Sequence, residues 1–191
     1  VESQWFPEGW RYRMVLPGQM ERSRLVRALT RAILLEVANR HNRTQRLANI
    51  PLWLEEGLAT HLLAVQGETL VAENRTRTSV EHSLVLDAFR ETHLRLNGRE
   101  PTSFAELTLM QAERFTEEQW EVFRRTCQLL VAELLLLPDG RAGLREMLRL
   151  LPGYLNSQLA FLRAFAHPFP TMLDAEKWWA AVWLNFTVRD R

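Results

Sequence analysis

Leu35-Glu36-Val37-Ala38-Asn39 and, further along, Pro51-Leu52-Trp53-Leu54-Glu55-Glu56-Gly57-Leu58-Ala59 are the stretches whose reading decides the fold. From Gln19 to about Asn42 the apolar residues recur at helical spacing. Leu25, Ala28, Leu29, Ala32, Ile33, Glu36 and Val37 fall on one broad side, which predicts a helix carrying the first stretch. Asn42 to Ile50 is polar and reads as a loop. Pro51 suits the first turn of a second helix, where its missing N–H would have had no partner anyway, and Gly67 closes that helix after about Val65. Trp53, Leu54 and Leu58 supply the apolar contact through which the two helices are expected to pack.

Outward from this pair, Trp10 to Leu16 alternates like a strand and Pro17-Gly18 ends it. Residues 68 to 81 read as a loop with a short strand near Thr69 to Ala72. A helix from about Val80 to Leu96 stops at Asn97-Gly98, residues that tolerate the left-handed conformation. Pro101-Thr102-Ser103-Phe104 opens a short helix, and Thr116-Glu117-Glu118 caps a long one to about Leu137. Pro138-Asp139-Gly140 turns the chain into a helix from Arg141 to Leu151. Another spans Asn156 to Ala166, Pro168 and Pro170 break it, and Asp174 caps a last helix through Phe186. No repeat interrupts this order. The expected architecture is mainly α, a single domain over 1–191 with one or two short strands. It divides into a strand and loop lead-in (1–18), the two helices just described (19–66) and a helical lobe (80–186).

Composition narrows the function classes. The chain has 191 residues, 47% of them apolar, enough to bury a substantial core. With 24 basic against 23 acidic residues, no global field argues for nucleic acid or an anionic membrane surface. Lys177 is the only lysine among many arginines, the bias of a GC-rich bacterial genome. Cys127 is the only cysteine, so no internal disulfide or cysteine-cluster metal site is possible, and its apolar setting predicts an inert buried thiol. The longest apolar run, Leu129 to Leu137, contains Glu133 and is too short to span a bilayer, so no transmembrane helix is expected. The first residue is Val1, with no signal-peptide pattern, which suggests a processed or trimmed piece of something longer.

In its position after a long helix, Pro51-x-Trp53-Leu54-x-Glu56-Gly57-Leu58-Ala59 is similar to the stretch that supplies the third zinc ligand in the gluzincins, the peptidase MA-like group of thermolysin-like zincin metallopeptidases. The Leu135 to Gly140 turn, Ala160 to Phe165 and Trp178-Trp179 look like the helical lobe of that group, so the resemblance covers about residues 20 to 186. The family's His-Glu-x-x-His places two imidazoles four residues apart on one helical face, with the intervening Glu beside the zinc-bound water. Set on Leu35 to Asn39, the resemblance implies that both histidines have been replaced, by Leu35 and Asn39, with the base position kept as Glu36 and the third ligand as Glu56. Leu35 cannot ligate a metal, and Asn39 offers only a weak neutral oxygen. The implied protein is therefore a non-catalytic pseudo-peptidase with no cofactor and no metal, and with no catalytic residue beyond the vestigial base position Glu36. Its cleft is lined by Leu35, Glu36, Asn39, Trp53 and Glu56, its role is binding or structural, and its unidentified partner is a peptide or protein. A bacterial source, with export or attachment to the cell envelope, fits this picture. On this alignment Asn39 faces Glu56, and Leu35→His with Asn39→His rebuilds a His₂Glu set.

Other readings stand beside this one. Glu36 is equally a carboxylate tied to a nearby arginine, and Glu55-Glu56 a solvated pair near a helix start, where the dipole favours acids. A metal-dependent hydrolase could have rebuilt its zinc site from His41, His61 and a carboxylate, whereas His82, His93 and His167 need no functional explanation. There is no Gly-x-Ser-x-Gly elbow and no glycine-rich phosphate loop. Trp178, Trp179 and Trp183 form either an exposed patch for assembly or, for at least two of them, core. Asn-x-Thr sequons begin at Asn42, Asn74 and Asn185 and are taken as chance matches.

Overall fold

The computed structural model describes residues 1–66, 88–111 and 115–188. The chain opens with an antiparallel hairpin, β1 (Glu2–Phe6) and β2 (Gly9–Arg13), in which Trp5 stands opposite Trp10 and Phe6 opposite Gly9. A strand over Trp10 to Leu16 was only half the element. Pairing with β1 ends at Arg13, and β1 itself escapes the alternation test because Glu2-Ser3-Gln4 has no apolar member.

The described residues then form eight helices: α1 (Arg22–Asn39), α2 (Leu52–Gln66), α3 (Arg90–Leu96), α4 (Phe104–Leu109), α5 (Glu117–Leu136), α6 (Gly140–Leu150), α7 (Ser157–Ala164) and α8 (Met172–Val188). A 3₁₀ turn, Leu151–Gly153, follows α6. This is the mainly α architecture the sequence predicts. The expected strand near 69–72 and the 80–87 part of the helix ending at Leu96 lie outside the described residues. Local chemistry sets several boundaries. Ser103 with Glu106 and Thr116 with Gln119 form reciprocal capping boxes that satisfy orphan N–H groups at the starts of α4 and α5. α8 begins earlier than Asp174 suggests. Thr171 takes the cap position, accepting from the Asp174 N–H while Asp174 Oδ2 accepts from both the N–H and the hydroxyl of Thr171. Gly98 does adopt a left-handed φ of 73° just after α3.

α5 is the centre of the packing. Cys127, Leu130, Val131 and Leu134 on it have no exposed surface, and each large apolar side chain buried this way contributes about 1.5–3 kcal/mol against its exposed state. α2 lies along α5 at very short range. A Cβ on Gly57 would overlap the carbonyl oxygen of Cys127 and sit 2.7 Å from Val131 Cγ2, so only glycine permits this approach. Behind α2 runs an aromatic chain. Trp53 meets Phe161 edge-on at 6.4 Å, Phe161 stacks on Phe165 at 4.8 Å, and Phe169 leads to Trp178 and Trp179. Trp179 and Trp183 are core, Trp178 is half-buried, and the Trp179 indole N–H donates to Thr102 O at 2.8 Å. α3 is tied to α5 by Thr92 Oγ1 donating to Gln128 Oε1 at 2.6 Å.

The face that α1 buries differs from the expected one. Val26, Thr30, Leu34, Leu35, Ala38 and Asn39 are inside, whereas Leu29 and Ile33 are 37% and 61% exposed. Apolar periodicity alone favoured the Leu29 side. The helix instead turns so that its arginines reach α2, described below. Among the described residues no helix is long and apolar enough to cross a membrane.

Candidate functional site

Glu55 lies in the first turn of α2, where the N-terminal partial positive charge favours acids, and Glu56 follows it, yet both are only 7% exposed. They are not a solvated pair. Two carboxylates taken from water need compensating charge, and the neighbouring helices supply it as arginine. Successive residues on a helix point about 100° apart, so the two acids are served separately. Arg31 Nη1 donates to Glu55 Oε2 at 3.0 Å, and Arg27 Nε donates to Glu56 Oε2 at 3.0 Å. Arg27 and Arg31 are four apart on α1 and therefore share a face. From α5, Arg124 Nε lies 3.3 Å from the same Glu56 oxygen, an ion contact too poorly aligned to be a hydrogen bond. The Arg124 guanidinium also sits 5.0 Å from the Trp120 ring centroid and within 4 Å of Glu117 and Glu121. One charge network thus pins α1, α2 and α5 together.

Burial pushes the Glu55 carboxyl above the usual range. The Arg31 charge and hydrogen bond pull against that shift, and neighbouring Glu56 adds to it. The Cys127 thiol is fully buried and well above its ordinary value, first through burial and then through Glu56, so it is the inert thiol expected.

The residues that the resemblance assigned to the cleft do not converge. Leu35 is core. Glu36 is half-exposed and pairs with Arg40 at 3.4 Å within its own helix, the arginine-tied alternative. Asn39 is buried, but its carboxamide closes the end of α1. Nδ2 donates to Leu35 O at 2.9 Å, while Oδ1 accepts from Asn42 Nδ2 and from Ala48 N, each at 3.0 Å. The expected pairing of Asn39 with Glu56 is therefore not made. The physical reason is the antiparallel register of the helices. Asn39 meets Ala48, Arg31 meets Glu55 and Arg27 meets Glu56, so stepping back along α1 moves forward along α2. Leu35 lies more than two turns, roughly 12 Å along the axis, from the residue opposite Glu56. Trp53 and Glu56 keep their places on α2, Trp53 in the core at 1% exposure.

The i,i+4 pair that does face Glu56 and its neighbour is Arg27 and Arg31. With Arg124, these are the site residues that motif reasoning overlooked, although an arginine pair at ligand spacing ahead of a Glu-Glu pair was visible. Their chemistry does not fit zinc. Guanidinium stays protonated and has no acceptor lone pair, so neither arginine can ligate, and two of them already hold Glu56. Nor does the relocated set assemble. His41 is exposed, and His61 packs against Phe89 at 6.1 Å with burial lowering its pKa. Among the described residues no three His, Cys, Asp or Glu side chains are placed to hold a metal ion. His93 is buried edge-on to Phe186 at 5.6 Å. No protein-family model matches the chain, and neither a curated protein nor a solved structure does so.

Proposed function

We propose that this chain is a non-catalytic, gluzincin-like domain with a binding or structural role. Its former ligand positions are Arg27 and Arg31, with Glu56 kept as the third position. The observation that supports this reading is the capture of Glu56 by Arg27 at 3.0 Å and Arg124 at 3.3 Å. Two guanidiniums bring the two positive charges that a zinc ion would have brought to the same carboxylate, with no open coordination position and no water to activate. The retained Trp53-Leu54-x-Glu56-Gly57 string then has a structural use. Trp53 and Leu54 anchor the core, Glu56 joins three helices, and Gly57 admits the close approach to α5.

Elemental analysis of the purified protein tests the metal-free part of this reading. The expected result after dialysis against a weak chelator is far less than one zinc per chain. One zinc retained per chain would overturn it and favour a hydrolase.

A further inference from the structure

Asn97 and Gly98 follow α3 as the centre of a tight turn. Asn97 at φ −59° and ψ 132°, with Gly98 at φ 73°, makes a type II turn closed by the Arg99 N–H donating to Leu96 O at 3.1 Å. In such a turn the N–H of the third residue takes no part in the closing bond. Gly98 N accordingly makes no hydrogen bond to any described residue, and neither does the Asn97 carboxamide. Both residues are exposed, and a Cβ on Gly98 would meet nothing within 4 Å, so solvent reaches this nitrogen unhindered. A free amide nitrogen thus follows directly on a free asparagine side chain. Its proton is open to removal by base, and no side chain on Gly98 shields it.

We propose that Asn97 is a self-modification site, converted to aspartate or isoaspartate with water as the only co-reactant. Gly98 N gives its proton to solvent base and attacks Asn97 Cγ. The new N–Cγ bond closes a succinimide, the bond from Cγ to Nδ2 breaks, and ammonia leaves. Water then opens the ring. Cleavage of N–Cγ leaves aspartate, and cleavage of the original peptide bond leaves isoaspartate, with Cγ carrying the main chain onward. One water is taken up, one ammonia is released, one negative charge is gained, and no electron is transferred. Closure needs the Asn97–Gly98 peptide to rotate toward the side chain, and the one main-chain bond of the turn opposes this. Other asparagines are held back. The Asn39 and Asn42 carboxamides are hydrogen-bonded through both nitrogen and oxygen, and Asn156 Oδ1 caps α7 by accepting from Gln158 N at 2.8 Å. Asn49 precedes β-branched Ile50, which crowds the nitrogen. The change lands on the link between α3 and α5, because Arg99 Nη2 donates to Glu118 Oε1 at 2.6 Å and isoaspartate inserts a main-chain methylene just ahead of Arg99.

The full chain, incubated folded at mildly alkaline pH and then digested at acidic pH, tests this by peptide mapping with fragmentation that distinguishes isoaspartate from aspartate. The expected first product is a species more acidic by one charge, altered at Asn97, with isoaspartate among its forms and ammonia released in equal amount. Its rate of formation should rise about tenfold per pH unit near neutrality, following the deprotonated fraction of Gly98 N. Asn97→Gln, at an exposed position whose side chain makes no hydrogen bond to a described residue, should suppress this early acidic species, because the longer side chain closes a larger ring more slowly. Conversion of Asn97 no faster than that of Asn49 or Asn156, a rate independent of pH, or persistence of the acidic species in Asn97→Gln overturns the proposal. The wild-type map decides alone if the variant does not fold. None of these outcomes depends on zinc content, so the metal-free reading is tested separately.

Discussion

Arg27 Nε and Glu56 Oε2 lie 3.0 Å apart across the α1–α2 interface, with Arg124 of α5 on the same oxygen. The side chains of Arg27 and Arg124 are about one-fifth exposed and that of Glu56 less than one-tenth, so the contact is poorly screened by solvent. Such a pair gains little over an apolar replacement but is costly to break from one side.

Glu56→Ala should therefore destabilise the fold by about 3–5 kcal/mol, because the largely buried Arg27 and Arg124 lose the carboxylate they share, Arg124 keeping only its longer contacts to Glu117 and Glu121. Urea unfolding at neutral pH measures this. A loss below about 1 kcal/mol, the value typical of a surface pair, would mean that the network does not hold the helices together.

Glu55→Gln should behave differently. Burial already outweighs the attraction of Arg31 and raises the Glu55 pKa, so ionisation of this group opposes folding at neutral pH. The neutral isostere should be within about 0.5 kcal/mol of wild type at pH 7, or slightly more stable. A raised folded-state pKa means that the stability linked to protonation is fully present below the unfolded value and is lost as pH rises through the folded one. Lowering the pH toward 4.5 should therefore favour wild type relative to Glu55→Gln. The opposite trend in denaturation midpoints would contradict the burial argument.

If Arg27 and Arg31 hold the ligand positions, Arg27→His with Arg31→His should create a zinc site with Glu56. Leu35→His with Asn39→His, the pair expected from the motif, should not, because those positions meet the helix end and the core. Calorimetric titration of both folded variants should give a Kd of about micromolar or tighter for the first and none for the second. Peptidase turnover is not expected from the first, since position 28 is alanine where a general base would stand, nor from the second, which keeps Glu36 at the base position but should hold no zinc. Zinc binding by the second variant alone would restore the motif alignment.

Gly57→Ala should cost about 1–3 kcal/mol or more, because the added methyl must displace the Cys127 carbonyl or push α2 away from α5. Gly18→Ala, with open space around its Cβ, serves as the control and should change stability by less than about 0.5 kcal/mol. Equal effects in thermal melts would show that the α2–α5 contact is looser than described.

Helix positions were legible where the signals are local. Thr116 marks α5, and Asn97-Gly98 ends α3, because a cap acts within one turn. The first strand was hidden, since β1 is identified only by the partner that folds onto it. Part of the site was legible too: Trp53 and Glu56 sit on the second helix as expected. Which residues of α1 face Glu56 was not. Positions 27/31 and 35/39 share the same i,i+4 spacing, and the choice between them depends on how the loop from Arg40 to Pro51 offsets one helix against the other. That offset is fixed by tertiary bonds such as Ala48 N to Asn39 Oδ1, which spacing does not encode.

The carbonyl of Leu35 accepts from the Tyr12 hydroxyl at 3.0 Å as well as from the Asn39 carboxamide. The hairpin is thus moored to α1 through a main-chain oxygen, by a phenol that burial holds in its protonated, donating form. A two-stranded ribbon has little independent stability, so most of what keeps it ordered comes from docking on α1. Its amides should exchange with solvent through a detachment that leaves the α5 core shut. Opening there would expose Trp5 and Trp10 and report on the mooring without disturbing Glu56, making the hairpin a separate cooperative unit of the chain.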